Sequence, residues 1–299
     1  MADIQLRFHR DVLALSSPID ATLASQGVDL SFGATMEAVL DPEAVHEALR
    51  LHHVAGAPCL VAPTAGITRA RLAHQRAADR DAEVAAAAKS AAAQFRPQHL
   101  IAEIGSTSLP LDPTSKTSLS ANRDQYARAV EAIDPEGVDA FFLNGLASAA
   151  DVRCALMGVR KVCATPVIAS VDIDSDGRLA GREPIEEIVA IMQDLEADVA
   201  GFCTSAAPDI SVALTRRAAA ACAVPLLVQL DVKEAIRGHV PRAFERTLEG
   251  NPYGDAARMG EAVPALVAAG AQFLRAAGNA LPAHTGVLAA ACAGLVPVR

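Results

Sequence analysis

Eight short aliphatic runs, each closed by a polar residue and followed by a helical stretch, predict an α/β fold of the (β/α)8 TIM barrel class. Two further observations agree. The 299 residues are 52% hydrophobic and 3% aromatic, which suffices for one large aliphatic core, so a single domain over 1–299 is expected. No G-x-G-x-x-G follows the first run, which argues against an open doubly wound sheet.

In chain order the runs are Val12 to Ser16, Cys59 to Thr64, His99 to Ile104, Ala140 to Asn144, Val167 to Asp172, Val199 to Thr204, Leu226 to Asp231 and Gln272 to Ala277. PLLVQLD at 225–231 is almost continuously apolar, as strands covered on both faces are. Asp41-Pro42-Glu43 supplies an N-cap, a proline in the first turn and an acidic start for AVHEALRLHHVAGA. Similar starts stand at Ser148, Glu183-Pro184, Asp209 and Pro282, while GVD at 137–139 and AGA at 269–271 read as helix exits into strands. Two segments exceed the minimal unit, 105–125 and 232–257. Both are expected as long loops at the carboxyl ends of strands, where barrels build their sites.

A formal charge of −9, spread along the chain, argues against nucleic acid and anionic membrane as partners, because both need basic patches. No run approaches the roughly 18 apolar residues of a membrane span, and MADIQLRFHRDV is too charged for a secretory leader, so the cytoplasm is the expected compartment. Cys59, Cys154, Cys163, Cys203, Cys222 and Cys292 lack C-x-x-C spacing, and most of them read as small buried apolar groups in a reducing compartment. A small-molecule ligand, anionic or amino-acid-like, is the default partner. The Ala-rich exterior adds a second copy or a partner chain as an expectation. His46, His52, His53 and His74 fall on helices or their edges and read as solvated or boundary residues, and His284 as helix-end packing.

Strand ends place Ser16, Asp20, Thr64, Glu103, Asn144, Asp172, Cys203, Thr204, Gln229, Asp231, Arg275 and Asn279 as candidates for the barrel mouth. Arg275 is the sharpest, since a guanidinium in QFLRAAG needs either an anionic ligand or a carboxylate from Glu103, Asp172 or Asp231. It either grips a substrate carboxylate or phosphate or forms a buried salt bridge that plugs the mouth. Glu103 and Asp172 are candidate general bases or, alternatively, partners of Arg275. Cys203 is either a nucleophile activated by helix N-terminal amides or a plain apolar cysteine.

VLALSSPIDATLASQGVDL at 12–30, DPEAVHEALRLHHVAGAPCLVAPTAGITRARLA at 41–73, GVDAFFLNGLASAADVRCAL and AGAQFLRAAGNALPAHTGVLA follow one another in the order of homocysteine S-methyltransferase motifs. From about residue 11 to 295 the chain resembles that family. The resemblance implies methyl transfer in one-carbon metabolism, with zinc held by three cysteine thiolates. Here those positions read Thr204, Ala277 and Gly278, and Cys203 lies one residue out of register, which turns a strand side chain to the other face. Zinc is therefore not expected, and no other cofactor is. Ser16-Ser17, Pro63 and Asn144-Gly145 likewise replace the family's substrate contacts. Two readings follow: a barrel that binds a small carboxylate-bearing metabolite and transfers methyl without zinc, or a catalytically silent ligand-binding or partner subunit. An open pocket lined by Asn144, Asp172, Thr204 and Arg275 favours the first, and a filled one the second.

Overall fold

The computed structural model describes residues 3–233 and 251–299. Eight parallel strands close in chain order into a barrel: β1 (Leu13–Leu15), β2 (Cys59–Ala62), β3 (His99–Gly105), β4 (Ala140–Leu146), β5 (Val167–Asp172), β6 (Val199–Thr204), β7 (Leu226–Val232) and β8 (Ala271–Gly278). β8 pairs back onto β1 through Leu13↔Phe273 and Leu15↔Arg275, so no edge is left open.

Helices cover the outer face: α1 (Asp20–Ser25), α2 (Gly33–Leu40) and α3 (Pro42–Val54) after β1, then α4 (Arg69–His74) and α5 (Asp81–Ala93) after β2. They continue with α6 (Lys116–Ile133), α7 (Ala149–Val162), α8 (Ile185–Asp194), α9 (Pro208–Ala221), α10 (Ala256–Ala268) and α11 (Pro282–Cys292). Their starts follow the capping chemistry. The Asp41 carboxylate accepts from the Ala44 amide at 3.0 Å with Pro42 in the first turn, and Ser148 Oγ accepts from the Asp151 amide at 3.2 Å.

One sequence expectation changes. The segment 105–125 is not a loop throughout, because Ser115 Oγ accepts from the Ser118 amide and starts α6 at Lys116. That cap hides among neighbouring serines and threonines whose propensities favour turns. The second long segment, 232–257, lies largely outside the described residues, with only its ends in view.

Alternation along the strands sorts the side chains. Leu15, Val61, Ile101, Phe142, Ile168, Val199, Leu227 and Phe273 point inward and form one apolar layer, while the intervening residues pack under the helices. A short 3-10 turn at Asp3–Arg7 seals the amino-terminal end, where Ile4 joins that layer. Phe8 meets Phe273 there edge-to-face, with ring centroids 5.8 Å apart. No described helix is long and apolar enough to cross a membrane.

Candidate functional site

Two residues further along several strands, the same alternation turns polar side chains inward. Glu103 follows Ile101, Asn144 follows Phe142, Ser170 follows Ile168, Gln229 follows Leu227 and Arg275 follows Phe273. They form a closed circuit across the barrel. Arg275 Nη2 donates to Glu103 Oε2 at 2.8 Å, and Asn144 Nδ2 donates to Glu103 Oε1 at 2.7 Å. Gln229 Nε2 then donates to Asn144 Oδ1 at 2.9 Å, and Arg275 Nη1 donates to Gln229 Oε1 at 3.3 Å. Ser170 Oγ accepts from Gln229 at 2.8 Å, and the Ser16 carbonyl accepts from Arg275 Nε at 3.0 Å.

Arg275 is 0% exposed, and its guanidinium carbon lies 5.0 Å from the centre of the Phe142 ring. Its charge is met by Glu103. Of the three carboxylates expected as partners, Asp172 and Asp231 make no ion pair with it; they stand at the ends of β5 and β7, on either side of Cys203. Burial, and then the charge of Asp231, raises the Asp172 carboxyl above its usual range, and burial raises Asp231, opposed by Lys233. Cys203 faces the same space. Burial followed by these two carboxylates pushes its thiol well up, away from the thiolate that nucleophilic attack requires.

The other predicted residues are struts or rim. Thr64 Oγ1 donates to the Glu103 carbonyl at 2.7 Å, and Ser16 Oγ accepts from the Val61 amide at 2.9 Å. Thr204 is buried, and its hydroxyl accepts from the Ala206 amide at 3.2 Å, within its own turn. Asn279 is exposed at the rim.

A recess of about 180 Å³ remains beside the circuit, between the β1, β2 and β3 ends, lined by Asp20, Glu103 and Arg275 together with Ser17, Arg71 and Gln75. Asn144, Asp172 and Thr204 are not among its walls. Asp20 is exposed as a residue where it lines the recess; desolvation and then Glu103 raise its carboxyl above the usual range, and Arg275 acts the other way.

Behind the recess runs a second polar chain that sequence reading missed. Ser17 Oγ lies 2.9 Å from Thr285 Oγ1, His52 Nδ1 lies 3.0 Å from that oxygen, and His52 Nε2 lies 3.0 Å from Thr22 Oγ1. His52 is therefore buried, not solvated, and desolvation followed by Arg275 lowers its pKa to about 4. The signal was present in the helix period, since Val45, Ala48, Leu49 and His52 share the buried face of α3. His284 does pack at a helix start, its Nδ1 accepting from the Leu281 amide at 3.1 Å.

The three positions that the sequence resemblance assigns to thiolates supply one turned-away hydroxyl, one methyl group and a glycine. Gly278 has φ +63°, and a Cβ there would collide with the Asp231 carboxylate and stand 2.6 Å from the Val232 carbonyl oxygen. Among the described residues, no group of three His, Cys, Asp or Glu side chains is placed to hold a metal ion. Zinc needs three or four such donors, so this donor set does not fit it.

The family model for homocysteine S-methyltransferase matches residues 9–291. No curated protein matches the sequence. Among solved structures, the homocysteine methyltransferase MmuM from Escherichia coli in its oxidized form is similar with a TM-score of 0.72 and 16% identity, covering 94% of this chain and 96% of that one. Its metallated form matches with the same values. The carboxyl transferase domain of Rhizobium etli pyruvate carboxylase with pyruvate shares 12% identity at a TM-score of 0.51, over 90% of this chain and 40% of that one. At these identities the likenesses show the barrel fold.

Proposed function

The chain belongs to the homocysteine S-methyltransferase family, and from that premise we propose that it is a zinc-independent member whose barrel mouth binds a small carboxylate-bearing metabolite. One observation carries this reading, and by the open-or-filled criterion it favours a ligand-binding barrel over a catalytic one: the circuit Arg275–Glu103–Asn144–Gln229 fills the barrel axis with mutually satisfied groups and leaves a recess beside it. Among the described residues, a metal-activated thiol has no donor set there. A recess of about 180 Å³ suits a small metabolite, being below the roughly 300–1,000 Å³ of sites for drug-sized ligands. The test is a thermal-shift screen with homocysteine, betaine, S-methylmethionine and simple carboxylates, with and without zinc, beside metal analysis of the purified protein. Carboxylate-dependent stabilisation that a chelator leaves unchanged supports the reading. Stoichiometric zinc retention with zinc-dependent ligand binding defeats it.

A second reading is favoured by family membership, which supports methyl transfer to a thiol acceptor. Asp172 and Asp231, with carboxyls raised by burial, are the bases that could take the thiol proton on a metal-free route. Methionine formed from homocysteine and S-methylmethionine, insensitive to chelator and lost in Asp172→Asn, would select this reading over a silent binding barrel.

A further inference from the structure

Arg275 was the obvious candidate to grip an anion, but its guanidinium already serves Glu103, Gln229 and the Ser16 carbonyl. A second guanidinium lines the same recess. Arg71 lies on α4, outside the barrel wall, and its side chain crosses the end of β3. There its Nε donates to the Ser106 carbonyl at 2.6 Å, and Nη2 lies near Gly105. Among the described residues it forms no ion pair, so its Nη donors have no carboxylate partner, whereas Arg69 on the same helix is paired with Asp79 and Asp81.

One turn along, Gln75 lines the recess too. Its Nε2 donates to the Phe32 carbonyl at 2.6 Å, which fixes the amide and leaves Oε1 buried without a partner. Spacing of four residues puts both side chains on one helix face. A buried acceptor without a partner costs free energy that a donor from a ligand recovers. The rest of the lining carries Asp20 and the mutually paired Glu103 and Arg275, so among the described residues Arg71 is the cation of the recess without a carboxylate partner.

We infer that Arg71 is the specificity-determining residue of the recess, receiving the ligand's carboxylate on its free Nη groups, with Gln75 Oε1 accepting from a hydrogen-bond donor on the same ligand. This rests on the ligand-binding reading above and moves the anion contact from the barrel axis to its helical rim. Arg71 falls inside the 41–73 stretch that carries the sequence resemblance, at a position to which the resemblance assigns no role.

The experiment uses propionate and its neutral isostere propionamide, followed by saturation-transfer NMR on the full chain. Wild-type protein is expected to prefer propionate by about tenfold, the worth of a charge-assisted hydrogen bond. Arg71→Gln is expected to abolish the preference, and Arg71→Lys to retain part of it, because a point charge remains without the planar fork. Circular dichroism and thermal melting verify that both variants fold. A preference that persists in Arg71→Gln overturns the assignment while leaving ligand binding intact. A wild type that takes up neither compound overturns both.

Discussion

Two buried polar clusters, one around His52 and Arg275 and one around His99, are treated in opposite ways. At the carboxyl end, Arg275, Glu103, Asn144 and Gln229 satisfy one another in a ring, and His52 finds a threonine hydroxyl for each ring nitrogen. At the amino end, His99 is 0% exposed beside Cys59, and neither of its nitrogens has a partner among the described residues. Both histidines have pKa values lowered chiefly by burial. Burial alone is therefore not what distinguishes the two histidines; mutual satisfaction is. A satisfied network resists single changes, because each member removed strands another, whereas an orphan can be replaced by carbon at a gain.

Arg275→Met offers the strongest way to break this contrast. It leaves Glu103 buried without a countercharge and is expected to cost about 3–5 kcal/mol in urea denaturation, most of it recovered by adding Glu103→Gln. A loss below about 1 kcal/mol would mean that the ring is not a structural unit.

Next in size is a pH effect. His52 has a folded pKa of about 4, against roughly 6.5 when unfolded. As pH falls through that window the unfolded chain takes a proton that the folded one refuses, so stability present above pH 6.5 is lost, by about 3 kcal/mol at most. Asp20, Asp172 and Asp231 have raised carboxyls and act in the opposite direction. The quantity to measure is thus the difference between wild type and His52→Gln in denaturation at pH 7 and pH 4.5, which should shrink or reverse at the lower pH.

His99→Leu tests the other end and is expected to stabilise by about 1–2 kcal/mol at pH 7, since it removes two unsatisfied buried nitrogens at similar volume. Destabilisation would show that His99 has a partner after all. The smallest effect belongs to Arg71→Gln, expected within about 0.5–1 kcal/mol of wild type by thermal melting, because only its bond to the Ser106 carbonyl is lost.

All eight strands were legible, β5 and β6 to the residue, because continuous apolar runs between turn signals have few other readings in a barrel. Arg275 could be singled out and its partners narrowed to three. The choice of Glu103 could not be made, since it depends on side chains meeting across the barrel from positions 172 apart in sequence. Ser115 was lost among polar neighbours, and His52 was set aside despite standing on the apolar period of its helix. Arg71 and Gln75 carry no local mark at all. Their importance comes from what they lack, a partner, and that is visible only once the surroundings are in place.

Gly278 has a consequence for engineering. A cysteine placed there meets a left-handed backbone and the main-chain oxygen of Val232, so the end of β7 must be reshaped before a sulfur can be accommodated. A designer who wants thiolates at this rim must therefore move backbone as well as change side chains, and each single replacement passes first through a less stable protein.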